Sequence, residues 1–305
     1  MVTTNTNNNE IVTLDPYYIT GFSDGESTFI VSLTKDNEYK TGWRVGLAFA
    51  IGLHEKDVML LEHIKSKFKV GSIRFSKSNK CAFYSVQSVK DISNVIIPHF
   101  DKYPLLTQKR ADFELFKSAV DLINRKVHRT PEGLQEIVNI RASMNDGLSD
   151  KLKAVFPNTK PVPRPVFKTT GISDPNWLAG FVDGVAKLGC FYVSKTKRQV
   201  QLQFSLSQDS RDFDLLNCLV GYLNCGTLRK DVRNPVIYLT ITKLSDILEK
   251  LIPLLDAYPL QGSKLLDYAC FRKVAMLMKD KAHLTKEGVD QILKIKEGMN
   301  KGRIH

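Results

Sequence analysis

The chain of 305 residues is poor in the features that would organise it around disulfides, a bound metal or a membrane. Its five cysteines, Cys81, Cys190, Cys218, Cys225 and Cys270, are odd in number, scattered and never spaced Cys-x-x-Cys. That spacing argues against a disulfide framework or a zinc site, and the thiols suit a reducing compartment. The six histidines form no ligand cluster, and there is no glycine-rich phosphate loop or Cys-His pair to suggest another enzyme class. No apolar run approaches the roughly 18 residues of a membrane span, so no membrane partner is expected. The opening MVTTNTNNNE has neither an apolar stretch nor an Arg-rich amphipathic character, and residues 1–14 are expected to form a disordered tail.

What the chain does have is positive charge and repetition. Lys and Arg number 44 against 32 Asp and Glu, a net charge of +12 that favours a polyanionic partner over an acidic small molecule. A segment DPYYITGFSDGESTFIVSL beginning at Asp15 returns at Asp174 as DPNWLAGFVDGVAKLGCFYVSK. From Phe49/Phe204 to Gly147/Gly302 the two copies run without a gap, with matches at Asp57/Asp212, Gly71/Gly226, Asp91/Asp246, Pro98/Pro253, Lys109/Lys264, Asp112/Asp267 and Asn145/Asn300. Two homologous repeats follow, 15–150 and 174–305, separated by a Pro-rich basic segment, 151–173, expected to be an extended linker crossing a surface.

The periodicities repeat as well. Asp-Pro introduces a helix in each copy, over Ile19 to Glu26 and Leu178 to Val185. Alternating β-rich segments follow at Phe29, Val45, Ser72 and Ala82, with counterparts from Phe191, Gln201, Thr227 and Val236. A helix from Asp57 separates the strand pairs, and helices from Asp91, Thr107 and Pro131 close the repeat. The expected class is α+β, with two pseudo-symmetric αββαββα units.

ITGFSDGES (Ile19 to Ser27) and LAGFVDG (Leu178 to Gly184) resemble the motif of the LAGLIDADG homing endonuclease and maturase family, and the surrounding repeats extend that resemblance over nearly the whole chain. The resemblance implies that the motif helices pack together through Gly21 and Gly180, with sheets forming a saddle for nucleic acid. Asp24 and Asp183 match the earlier acid of the motif and are expected at the repeat interface, capping or orienting the helix ends. Glu26 matches the catalytic, metal-binding acid, but the second copy has Val185 there, and Val-Ala-Lys-Leu between Gly184 and Gly189 offers no carboxylate. Lys109 and Lys264 match the basic residues of the active site, and Gln208 resembles a polar strand-end residue that positions solvent, although its counterpart is Leu53.

Basic residues recur in the expected strands and hairpins at matched places: Lys35, Lys40, Arg44, Arg74, Lys77 and Lys80, then Lys195, Lys197, Arg198, Arg229, Lys230 and Arg233. They are the expected nucleic-acid contacts. With one acid lost, the resemblance implies an intron-encoded nucleic-acid-binding protein impaired in double-strand cleavage and acting as an RNA-splicing maturase. The alternatives are an active homing endonuclease or nickase and a DNA-binding protein without chemistry. Mg²⁺ is expected if the chain is catalytic and no cofactor otherwise. The implied partners are group I intron RNA or a long double-stranded DNA site, bound by a monomer in mitochondria.

Overall fold

Asp15 and Asp174 stand immediately before prolines, and each carboxylate accepts a hydrogen bond from the backbone N–H two residues on, Tyr17 and Asn176, both at 2.8 Å. Capping plus a proline in the first turn starts the two motif helices at the expected places. The computed structural model describes residues 13–169, 171–194 and 199–300.

In the first repeat, α1 (Pro16–Glu26) leads into β1 (Ser27–Lys35), β2 (Trp43–His54), α2 (Val58–Phe68), β3 (Ser72–Phe75) and β4 (Cys81–Val86). Then come α3 (Val89–Asp91), a π-helical turn Ile92–Ile96, α4 (Ile97–Lys102), α5 (Lys109–Asn124) and α6 (Pro131–Ala142). A short helix α7 (Asp150–Val155) precedes the second repeat. That repeat contains α8 (Pro175–Val185), β5 (Lys187–Ser194), β6 (Gln199–Asp209), α9 (Phe213–Leu223), β7 (Thr227–Lys230) and β8 (Val236–Ile241). It continues with α10 (Leu244–Asp246), a π-turn Ile247–Leu251, α11 (Ile252–Ala257), α12 (Lys264–Lys279) and α13 (Lys286–Glu297).

Each repeat holds a four-stranded antiparallel sheet, ordered β1-β2-β4-β3 and β5-β6-β8-β7. Strand alternation divides each sheet into two faces. Phe29, Phe49, Ile51 and Tyr84 are buried against the helices in the first repeat, and Leu188, Phe204, Leu206 and Leu239 in the second. The opposite face is open.

The motif helices pack against each other through their glycines. A Cβ on Gly21 would collide with the carbonyl of Trp177, and one on Gly180 with the carbonyl of Tyr18. Only side-chain-free positions permit that approach, and the exchange of partners is the signature of a pseudo-two-fold axis.

Four local expectations change. The tail expected over 1–14 ends earlier, since Leu14 is only 3% exposed within the first core; residues 1–12 lie outside the described region. The expected extended linker begins as α7, capped by Ser149, whose hydroxyl accepts from Leu152 N. Farther along, Arg164 turns inward, donating to both carboxylate oxygens of Asp112 at 2.6 and 2.8 Å and to the carbonyls of Ser143 and Gln108. The linker is thus strapped to the first repeat by a bidentate ion pair.

The fourth change concerns register. Phe29 pairs with Phe49, and the residue that pairs with Phe204 is Leu188, not Phe191. Asn145 and Asn300 confirm the equivalence by donating to the carbonyls of Phe29 and Leu188 at 2.9 and 3.2 Å. The helix-to-strand turn is therefore conserved in length, and the difference between copies is absorbed later, between β5 and β6.

Candidate catalytic cleft and nucleic-acid interface

The two motif helices end side by side. Val185 packs its Cγ1 against Gly25, and Glu26 lies over Gly184. The side chains that the second position of each motif offers are thus one carboxylate and one isopropyl group, at equivalent places.

Asp24 and Asp183 do not cap their own helix ends. Asp24 is buried and accepts from Leu106 N (2.9 Å), Thr107 N (3.1 Å), Thr107 Oγ1 (2.6 Å) and the Trp177 indole of the other repeat (2.8 Å). Asp183 accepts from Gln261 N and Gly262 N, both 2.7 Å, and from the Tyr18 hydroxyl of the first repeat at 2.5 Å. Each acid therefore fixes the loop leading into a lysine-bearing helix and ties the other motif helix to it. Burial raises the proton affinity of Asp24, against which its donors work.

A second crossed pair completes the junction. Asp57 accepts from Ser263 N (2.6 Å) and Ser263 Oγ (3.1 Å), at the start of α12, and Asp212 accepts from Gln108 N (2.7 Å), at the start of α5. Burial, reinforced by Asp24, pushes the Asp212 carboxyl up to about 6. The aspartates stand out in the sequence as a matched pair, but nothing local to them indicates that each reaches the opposite repeat.

Lys109 and Lys264 open α5 and α12, and their ammoniums reach the ends of the motif helices. Lys109 Nζ donates to Ser23 O (2.9 Å) and Ser27 O (2.5 Å); Lys264 Nζ donates to Val182 O (3.0 Å), Asp183 O (2.6 Å) and Gly184 O (3.1 Å). They neutralise the carbonyl-rich C-termini of α1 and α8. Burial lowers both amines, opposed chiefly by Asp24 and Glu26 at Lys109 and by Asp183 and Glu26 at Lys264.

Between the repeats lies a cleft of about 1100 Å³ lined by Glu26, Asp57, Lys56, Lys187, Lys264, Gln203 and Ser205, among others. Glu26 is half-buried; desolvation raises its proton affinity, Lys264 and Lys109 oppose this, and Asp57 adds to it. No hydrogen-bond donor engages its carboxylate among the described residues, whereas Asp57, Asp183 and Asp267 are each held by backbone N–H groups. Three His, Cys, Asp or Glu side chains converge nowhere among the described residues. A divalent ion such as Mg²⁺ takes about six oxygen ligands. Glu26 supplies a single free carboxylate, so the side chains of the cleft do not by themselves fit such an ion.

Gln208 does not join this group. It follows Leu202, Phe204 and Leu206 in alternation and pairs with the buried Ile237, which puts it on the helix side of β6. Among the basic residues, Arg44, Arg74 and Arg229 are exposed on open sheet faces, opposite Thr34, Phe83 and Tyr238, and Arg229 stacks 5.3 Å over the Tyr238 ring. Lys40, Lys77, Lys80 and Arg233 are exposed in the loops at the strand ends. Lys35 and Lys230 instead stand in register with helix-side residues, Trp43 and Ile237, and Lys230 lies 4.9 Å over Phe213. Lys195, Lys197 and Arg198 fall outside the described residues.

The sequence profile described as LAGLIDADG endonuclease matches residues 19–120 and 178–275. The chain is 39% identical over 297 residues to Probable intron-encoded endonuclease 2 of Neurospora crassa, covering 94% of this chain and 65% of that protein. It is likewise 39% identical over 289 residues to Probable intron-encoded endonuclease 3 of the same fungus, covering 93% and 54%. The chain therefore spans between about half and two thirds of these curated relatives. Among solved structures it is similar to the I-SmaMI LAGLIDADG homing endonuclease bound to cleaved DNA, with TM-score 0.92 and 42% identity over 95% of this chain and 98% of that one. It is also similar to the LAGLIDADG homing endonuclease I-GzeII in complex with its DNA target, with TM-score 0.89 and 41% identity over 95% and 100%.

Proposed function

Since the chain belongs to the LAGLIDADG endonuclease family, we propose that it is an intron-encoded, site-specific nucleic-acid-binding protein whose capacity for double-strand cleavage is impaired. One observation carries this reading: Glu26 and Val185 occupy equivalent ends of the paired motif helices, so one carboxylate serves a junction built for two. Cutting both strands requires two competent centres. The family uses divalent metal, and the structure of I-SmaMI with an uncleaved DNA target was obtained in the presence of calcium.

The test is a supercoiled plasmid carrying the intronless sequence that flanks this reading frame, incubated with the protein and Mg²⁺. The expected result is binding with little linear product, and any nicked product should vanish in Glu26→Gln. Efficient linearisation by the wild type overturns the proposal.

The open sheet faces with Arg44, Arg74 and Arg229 need no acid to grip a phosphate backbone, and they support a second reading, an RNA-splicing maturase acting on group I intron RNA as a monomer. Splicing of the host intron transcript that is stimulated by wild type and by Glu26→Gln alike would support it; no stimulation by either would reject it. Relatives named for an ND4 intron of Podospora anserina and for cox1 introns of Schizosaccharomyces pombe favour mitochondria as the place of action.

A further inference from the structure

The register of β5 gives Lys187 a position with no charged counterpart. Because Leu188 stands opposite Phe204 as Phe29 stands opposite Phe49, Lys187 corresponds to Thr28, and the charge belongs to the second repeat alone. Leu188 is buried, so its neighbours Lys187 and Gly189 face the open side, opposite Ser205 and Gln203. Lys187 is exposed, lines the cleft that holds Glu26, and enters no salt bridge among the described residues. Lys264, by contrast, has its ammonium committed to three carbonyls.

Building on the nucleic-acid-binding reading, we propose that this cleft is a metal-independent subsite for a DNA backbone phosphodiester, in which the Lys187 ammonium supplies the positive charge and Gln203 and Ser205 the neutral donors. The chemistry follows from what the cleft offers. A phosphodiester carries one negative charge and acceptor oxygens, which an ammonium with three donors and flanking amide and hydroxyl groups satisfy. A divalent cation finds one free carboxylate, which already faces the positive charges of Lys264 and Lys109.

The experiment measures binding of a fluorescein-labelled 40-base-pair duplex of random sequence by anisotropy, across a salt series, in EDTA and in Ca²⁺. Each neutralised phosphate contributes about 0.9 to the slope of log affinity against log salt. Wild type should bind equally in both buffers, and Lys187→Thr, which installs the first repeat's residue, should reduce the slope by about 1 and weaken binding several-fold at low salt. Lys187→Arg should retain both slope and affinity. Binding by wild type that collapses in EDTA, or an unchanged slope in Lys187→Thr, overturns the subsite while leaving nucleic-acid binding intact. Failure of the wild type to bind in either buffer overturns both.

Discussion

The indole of Trp177 on the second motif helix donates to the buried carboxylate of Asp24 on the first at 2.8 Å, and the Tyr18 hydroxyl returns the relationship by donating to Asp183 at 2.5 Å. The repeats are therefore joined by polar pins as well as by close helix packing. Removing one partner of a buried, charged hydrogen bond leaves a desolvated group behind and costs about 1–3 kcal/mol. Trp177→Phe, which keeps most of the packing, is expected to lose that much in urea denaturation. An unchanged midpoint would mean that the pin contributes nothing.

Glycine substitutions separate close approach from helix propensity. In Gly21→Ala the added methyl meets the backbone carbonyl of Trp177, which cannot rotate away, and a loss of at least about 3 kcal/mol is expected. Gly221 also lies inside a helix, α9, but a Cβ there meets nothing within 4 Å. Gly221→Ala should stabilise by about 0.5–1 kcal/mol. Similar thermal shifts for the two variants would remove the helix interface as the reason for Gly21.

Asp212 gives a pH-dependent prediction. Its carboxyl is raised to about 6, so the folded state binds the proton more tightly than the unfolded chain does. The associated stability is present below the ordinary carboxylate range near pH 4 and is lost as pH rises through about 6. Asp212→Asn keeps an acceptor for Gln108 N without the charge, and should gain relative to wild type by about 2–4 °C in melting temperature between pH 4 and pH 7. A difference that stays constant over that range would contradict the assignment. Asp24, Asp209 and Arg211 act on this group, and it in turn acts on the charges of Lys109 and Arg164.

Val185→Glu tests the lost half of the junction. Because the helix-to-strand turns are equivalent, a glutamate at 185 restores the second acid without deleting residues. Val185→Glu combined with Lys187→Thr is expected to increase linear product in the plasmid assay at least about tenfold, the scale on which removing or restoring one catalytic group acts. If linear product does not rise in the double variant, the defect lies outside these two positions.

Much of the architecture was legible in the sequence because it was written twice. The matched Asp-Pro helix starts, the alternating strands and the paired lysines gave the order of elements, and the difference between Glu26 and Val185 was visible without coordinates. Local rules carry those inferences, since caps, prolines and alternation act over a few residues. They failed where length was ambiguous: the GCF of the second copy invited alignment of Phe191 with Phe29, whereas pairing across the sheet selected Leu188.

Tertiary structure decided what each polar group touches. Asp57 and Asp212 could be recognised as a pair, but only the crossing of the repeats brings each to the start of the other's lysine helix. Arg164 looked like linker charge and is a strap on Asp112; Gln208 looked like a cleft residue and stands on the helix side of its strand. Lys187 was visible as a charge beside a missing acid, and its place on the open face came from a one-residue alternation that depends on which partner strand residue it faces. Sequence fixes which groups exist and their local periodicity; which of them meet depends on contacts between segments distant along the chain, where burial and backbone pairing choose among arrangements that local propensity leaves equal.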